Sequence, residues 1–352
     1  MANNRIRVMV VEDSPVIQHL LGFIIGADPR LEVCGTFPSG EAAIEAIPQL
    51  RPDVISMDIR LPGMDGLEAT RIIMSRHPTP IVVIASAVED GSLRISMSAL
   101  RAGALAVVEK PAGFAHSDHA AIADTIRTQL YIMSQVPVIR RRDYAPRTAS
   151  AAAAGERRPG APVMAAIVAS TGGPAALARV LSGLPADFPL PILVVQHMGP
   201  AFMAGFAAWL DGIVPLPVAI ASHGQVPLPG HVHVAPGDEH LSLGADSTLR
   251  LGRQPPVNSQ RPSGTVLFQS MARVLGPRGL GVLLTGMGED GAEGMLAMRR
   301  AGAATITEDA STAVVYGMPA TAVKLGASGL SLPLDRIADA MLRATVTEPE
   351  PW

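Results

Sequence analysis

Two groups of residues able to do chemistry stand at the ends of short apolar runs. In the first group Glu12 and Asp13 follow VMVV, Asp58 follows VISM, Ser86 follows IVVIA and Lys110 follows AVVE. Taken singly, an aspartate in such a place serves equally well as a helix cap or a turn residue. Taken together, three carboxylates that converge on one point repel each other unless a divalent cation lies among them. A donor set made only of oxygen suits magnesium. An acidic pocket with one lysine and one hydroxyl can accept a phosphoryl group: the metal and Lys110 neutralise its oxygens, Ser86 donates a hydrogen bond, and Asp58 is the nucleophile.

The second group begins at Ser170-Thr171-Gly172-Gly173-Pro174, directly after the run MAAIVA. A serine at a strand-to-helix turn followed by small residues exposes its hydroxyl, and Pro174 suits the first turn of the helix. On its own the segment reads as a nucleophile turn, an anion-binding loop or a capping serine. His197 after ILVVQ and Asp290 in TGMGEDG after GVLL add an imidazole and a carboxylate at neighbouring strand ends. Hydroxyl, imidazole and carboxylate are the composition of a catalytic triad. His197 would take the Ser170 proton and Asp290 would hold the imidazole tautomer. The chain order Ser, His, Asp and the absence of G-x-S-x-G around Ser170 set this arrangement apart from ordinary α/β-hydrolases. His231 and His233 alternate on a strand without a third ligand at convincing spacing, so no metal is assigned to them.

Both groups need parallel sheets, because ligands of open α/β sheets bind beyond the carboxyl ends of the strands. Strands are expected at Val8 to Val11, Val54 to Met57, Ile81 to Ala85 and Ala106 to Val108, with helical spacing at Pro15 to Ala27, Gly40 to Leu50, Leu67 to His77, Leu93 to Ala102 and Ala120 to Met133. This alternation predicts a five-stranded parallel unit over residues 1–135. Residues 136–161, rich in Ala, Pro, Arg, Ser and Gly, bury too little to offset their ordering entropy and read as a flexible linker. A second α/β unit is expected over 162–348, with strands at Met164 to Ala169, Ile192 to Val195, Gly281 to Leu284 and Ala304 to Thr307. Between them, HVHVAPG and HLSLG suggest an antiparallel hairpin beside the main sheet.

A chain of 352 residues exceeds one ordinary core, in keeping with two domains. Its formal charge of -3 supplies no basic footprint, and the absence of a helix-turn-helix candidate argues against nucleic acid as a partner. One cysteine, Cys34, allows no internal disulfide and suggests a reducing compartment. With no signal peptide and no apolar run of the ~18 residues that span a bilayer, a cytoplasmic protein without membrane insertion is expected.

The segments VVEDSP, DIRLPGMDG, VVIASA and VVEKP resemble response-regulator receiver domains, which have a flavodoxin-like fold. That resemblance implies that Asp58 is phosphorylated by a histidine kinase and that Asp13, Asp58 and the backbone carbonyl of Arg60 hold magnesium, with Glu12 assisting. Many receivers carry an aromatic residue three positions before the lysine; here that position is Val107, so no aromatic rotor reports phosphorylation there. From Met164 onward, ASTGGP, VVQHM, PGHVHVAPGDEHL, NSQRPSGTVLFQS and LTGMGEDG resemble, in order, the doubly wound catalytic domain of the chemotaxis methylesterase family CheB. The resemblance implies hydrolysis of glutamate γ-methyl esters on chemoreceptors with release of methanol, activated by phosphorylation and accompanied by glutamine deamidation. It further implies that Ser170, His197 and Asp290 form the triad without a cofactor, that the Met287 N–H contributes to the oxyanion hole and that Thr171 lies beside the nucleophile. The family pattern has an aspartate where this chain has Thr265.

Overall fold

In a computed structural model the chain falls into two compact units, Met1–Ala145 and Pro146–Trp352. The structure describes residues 5–85, 104, 106–110, 119–135 and 161–345. The expected helix at Leu93 to Ala102, Ser86 and almost all of the 136–161 linker lie outside the described residues. No helix among the described residues is long and apolar enough to cross a membrane.

The first unit runs β1 (Ile6–Val11), α1 (Pro15–Gly26), β2 (Leu31–Phe37), α2 (Gly40–Leu50), β3 (Val54–Met57), α3 (Gly66–Arg76), β4 (Ile81–Ala85), β5 (Ala106–Glu109) and α4 (His119–Ser134). Its five strands pair in the order β2-β1-β3-β4-β5, all parallel. β3 and β4 are buried along their whole length, as expected for strands covered on both faces. Asp65 caps α3 by accepting from the Glu68 N–H at 2.8 Å. Gly66 opens that helix because a Cβ there would stand 2.0 Å from the Asp58 carbonyl oxygen. The loop after β3 therefore packs tightly beneath Asp58.

The second unit contains β6 (Met164–Ala169), α5 (Gly173–Ser182), β7 (Ile192–Gln196), α6 (Pro200–Asp211), β8 (Val218–Ile220), β9 (Val232–Val234), β10 (His240–Leu243) and β11 (Leu249–Gly252). It continues with α7 (Gly264–Leu275), β12 (Gly279–Leu283), α8 (Ala292–Arg300), β13 (Ala304–Glu308), α9 (Met318–Lys324), β14 (Leu330–Leu332) and α10 (Leu334–Thr345). Seven parallel strands line up as β14-β13-β12-β6-β7-β9-β8. β6, β7 and β12 form the buried centre, and Val168, Phe268, Met295 and Leu283 belong to the core packed against it. An antiparallel hairpin is present, but it is made of β10 and β11. HVHV, expected in the hairpin, instead supplies β9, whose residues are all buried between β7 and β8. Alternation of His and Val disguised a strand paired on both sides, because both histidines in HVHV resemble outward-facing polar positions.

Candidate active site and phosphoacceptor pocket

Each sheet reverses its strand order once near its first strand, between β1 and β3 in the first unit and between β6 and β12 in the second. The carboxyl ends flanking such a reversal leave a crevice. Glu12, Asp13 and Asp58 follow the strands that flank the first reversal, and Ser170 and Asp290 follow those that flank the second.

In the first unit Glu12 is buried, Asp13 is exposed and Asp58 is buried, and one carboxylate oxygen from each lies within 4.8 Å of the others. The Lys110 ammonium sits 2.8 Å from Oε2 of Glu12 and 2.8 Å from Oδ2 of Asp58. Oε2 of Glu12 is buried and makes this ion pair without forming a hydrogen bond. Burial raises the Glu12 pKa, with Asp58 adding to the rise and Lys110 opposing it. Burial acts to lower the Lys110 pKa, but the two carboxylates outweigh it and raise it. Hard oxygen donors converging with a buried, incompletely satisfied carboxylate fit a magnesium ion. Arg60 is exposed immediately after this cluster, and Val107 lies half-buried within β5. Ser86, the remaining member of the set, is outside the described residues.

In the second unit β6 delivers Ser170 and β7 delivers His197. Ala169 is in register with Gln196, and the His197 N–H donates to the Ala169 carbonyl at 3.0 Å. Gln196 ties the two turns together: its Nε2 donates to the Ser170 and His197 carbonyl oxygens, each at 2.9 Å. Gly172 takes φ +77°, where a Cβ would also meet Val314 at 2.6 Å, so the turn after Ser170 excludes larger residues there. α5 then starts at Gly173, close to the start expected at Pro174.

Asp290, 2% exposed, lies 2.8 Å through Oδ2 from Nε2 of His197. It does not cap α8, whose N-cap is Gly291. Instead it sits at the N-terminus of α7, where it accepts from the Ser263 hydroxyl at 2.6 Å, the Gly264 N–H at 2.6 Å and the Thr265 N–H at 3.1 Å. Removing a carboxylate from water costs several kcal/mol, roughly, whereas each hydrogen bond to a charged group contributes about 1.5–3 kcal/mol. Burial alone would raise this pKa, but the His197 contact and the Ser263 and Gly264 donors win and hold it at about 2. Because the carboxylate is ionised, Nε2 of His197 carries the proton it donates. Nδ1 is buried without a hydrogen-bond partner, so in the neutral ring it keeps the lone pair. The Ser170 hydroxyl and Nδ1 are not hydrogen-bonded to each other in this state.

Beyond β12, Gly286 packs against Ser170 so closely that a Cβ there would lie 2.7 Å from the Ser170 Cβ. Met287 follows and is 51% exposed, and its N–H has no partner among the described residues. Thr171 is buried next to Ser170 in the chain, with its carbonyl accepting from the Thr285 hydroxyl at 2.9 Å. Thr265, in place of the family's aspartate, accepts from the Gly291 N–H at 2.8 Å through its hydroxyl.

Residues 165–341 match the family model described as CheB methylesterase, and residues 8–122 match the response regulator receiver domain. The chain belongs to the CheB methylesterase family. Among similar CheB-family proteins, a protein-glutamate methylesterase/protein-glutamine glutaminase of Paramagnetospirillum magneticum is 53% identical, with 95% of this chain and 96% of the relative covered. One of Myxococcus xanthus, named in the same way, is 47% identical over 92% of each. The crystal structure of the Thermotoga maritima CheB methylesterase catalytic domain is 36% identical with a TM-score of 0.51, covering 52% of this chain and 98% of that one. A CheB architecture, receiver followed by methylesterase domain, therefore accounts for both strand-end clusters being carried on one chain.

The α7 cradle of Asp290 and the role of Gln196 escaped the sequence reading. The cradle had a visible signal: RPSGT ahead of an apolar helical run marks a helix start with Ser263 as its cap. Nothing local indicates which carboxylate that helix start holds.

Proposed function

We propose that this chain is a phosphorylation-activated protein-glutamate methylesterase that also deamidates glutamine, acting on methylated chemoreceptors. The observation that carries this reading is the Asp290–His197 pair beside Ser170, on a chain whose relatives bear that name. Ser170 is the nucleophile. Nδ1 of His197 takes its proton as Oγ attacks the γ-carbonyl of the glutamyl ester, and the developing oxyanion is met by the Met287 N–H with Thr171 alongside. The same imidazole then gives its proton to the departing methoxide, releasing methanol. Water, deprotonated by His197, hydrolyses the acyl-enzyme to leave a receptor glutamate and free Ser170. With a glutamine side chain the leaving group is ammonia and the product is the same glutamate.

In the receiver, Asp58 accepts a phosphoryl group from a phosphohistidine on a histidine kinase. Asp13, Asp58 and the Arg60 carbonyl, with Glu12 assisting, would hold magnesium, whose chemistry when bound is to neutralise the phosphoryl oxygens. Lys110 pairs with those oxygens and Ser86 donates to one. The domains assigned to these tasks are 1–135 for the receiver, 136–161 for the linker and 162–348 for catalysis.

Methanol release from a methylated receptor fragment tests the enzymatic reading. The intact chain should release methanol and Ser170→Ala should not. Equal release by both would refute Ser170 as nucleophile.

A further inference from the structure

β13 ends on Glu308, two strands from Ser170 and on the same edge of the sheet. Glu308 is fully buried, and none of the steps above uses it. Its Oε2 accepts from the Thr285 N–H at 2.8 Å, while Oε1 is buried without a hydrogen-bond partner. Thr285 is a junction. Its carbonyl accepts from the Ser170 N–H at 3.0 Å, and its hydroxyl donates to the Thr171 carbonyl at 2.9 Å and accepts from the Val315 N–H at 2.9 Å. Gly286, seated against Ser170, and Met287 come next.

We infer that Glu308 is a positioning residue for ester hydrolysis: by holding the Thr285 amide it fixes the segment that joins the Ser170 turn to the Met287 N–H, and its ionisation weakens turnover. This inference rests on the proposed roles of Ser170 and Met287. A buried amide that loses its acceptor leaves the segment free to shift, and small displacements of a catalytic segment lower turnover more than they lower substrate affinity.

Burial pushes the Glu308 pKa up to about 7, against the opposing effects of the Thr285 amide and the nearby Thr312 hydroxyl and with some help from Asp309. The groups that face the carboxyl are thus the Thr285 amide from the end of β12, and Asp309 and Thr312 from the turn after β13. Among the described residues no cation forms an ion pair with it. Protonated, Glu308 carries its hydrogen on Oε1 and still accepts from Thr285 through Oε2. Ionised, it places an uncompensated negative charge behind the segment on which an oxyanion must form, which opposes the transition state.

The test uses the full-length chain with magnesium and a small-molecule phosphodonor, from about pH 5 to about pH 9, with two readouts. One is acylation by p-nitrophenyl acetate, and the other is methanol release from a methylated receptor fragment. As pH rises through about 7, wild-type kcat should fall relative to that of a variant that cannot ionise at this position. Glu308→Gln, which keeps an oxygen acceptor and cannot ionise, retains only the pH dependence set by the base His197, so the ratio of its kcat to the wild-type value should climb as pH rises through about 7. Glu308→Ala should lose about tenfold in kcat at all pH values with KM little changed. A Glu308→Gln to wild-type kcat ratio that stays level across that range, or Glu308→Ala turning over like the wild type, overturns the inference. If Glu308→Ala does not fold, the Glu308→Gln profile decides alone. Acylation that depends on Ser170 and Glu308 without methanol release would uphold the positioning role while sinking the glutamyl-ester reading.

Discussion

His197 offers Nε2 to Asp290 at 2.8 Å and leaves Nδ1 on the side without a partner. In the familiar serine-protease arrangement the aspartate binds Nδ1, and Nε2 faces the nucleophile. In the proposed mechanism the two ring nitrogens therefore exchange roles, with Nδ1 as the base toward Ser170. Nitrogen NMR on selectively labelled histidine should show the neutral His197 ring protonated at Nε2 and bare at Nδ1. The opposite tautomer would remove the proposed base.

The donors around Asp290 make Asp290→Asn informative. Ser263 and Thr265 donate to Oδ1, whereas Gly264 and His197 share Oδ2, so the NH2 of the replacement opposes a backbone N–H in either place, and in the Oδ2 place it forces Nε2 to accept. The proton then moves to Nδ1, where it blocks attack. A loss on the order of 10³ in kcat is expected with KM nearly unchanged. Retention of activity would show that the tautomer is not held by this contact.

Asp290 also links stability to acid. Its folded pKa of about 2 lies below the ordinary 3.8, so its stabilising contribution is complete above about pH 4 and is lost as pH falls through about 2. That contribution is about 2 kcal/mol. Ser263→Ala removes one donor to the carboxylate, so its acid unfolding midpoint should move to higher pH than that of the wild type. Coincident acid transitions would contradict this.

Thr265 carries a structural load of its own. Thr265→Val leaves the buried Gly291 N–H without its acceptor and should cost about 1–3 kcal/mol, seen as a lower Tm.

Much of this was legible in the sequence because both sites use strand ends. Glu12, Asp13, Asp58 and Lys110 each follow an apolar run, and a parallel sheet collects such positions at one edge. Ser170, His197 and Asp290 were readable for the same reason. What was not legible depends on contacts between segments far apart in sequence. Asp290 meets the start of α7 across 26 residues, and Glu308 meets Thr285 across 23. β9 was misplaced because its buried His233, with half-buried His231 just before the strand, imitates a surface alternation. His233 illustrates the result: burial pulls its pKa down to about 4, with the neighbouring His231 adding to the effect, so it remains neutral inside the sheet.

The proposed magnesium and serine chemistries belong to different units, which gives a separable prediction. Chelation by EDTA should abolish stimulation by a phosphodonor and leave basal, Ser170-dependent methanol release intact. Loss of both would place a metal in the hydrolytic step.

The central claim is that phosphorylation of Asp58 raises hydrolysis at Ser170. Initial rates of methanol release from a methylated receptor fragment test it most directly, measured with and without phosphodonor for the wild type and Asp58→Asn. Stimulation of the wild type and an unresponsive but active Asp58→Asn are predicted. Equal stimulation of both proteins, or none in the wild type under conditions where Asp58 is phosphorylated, would contradict the account.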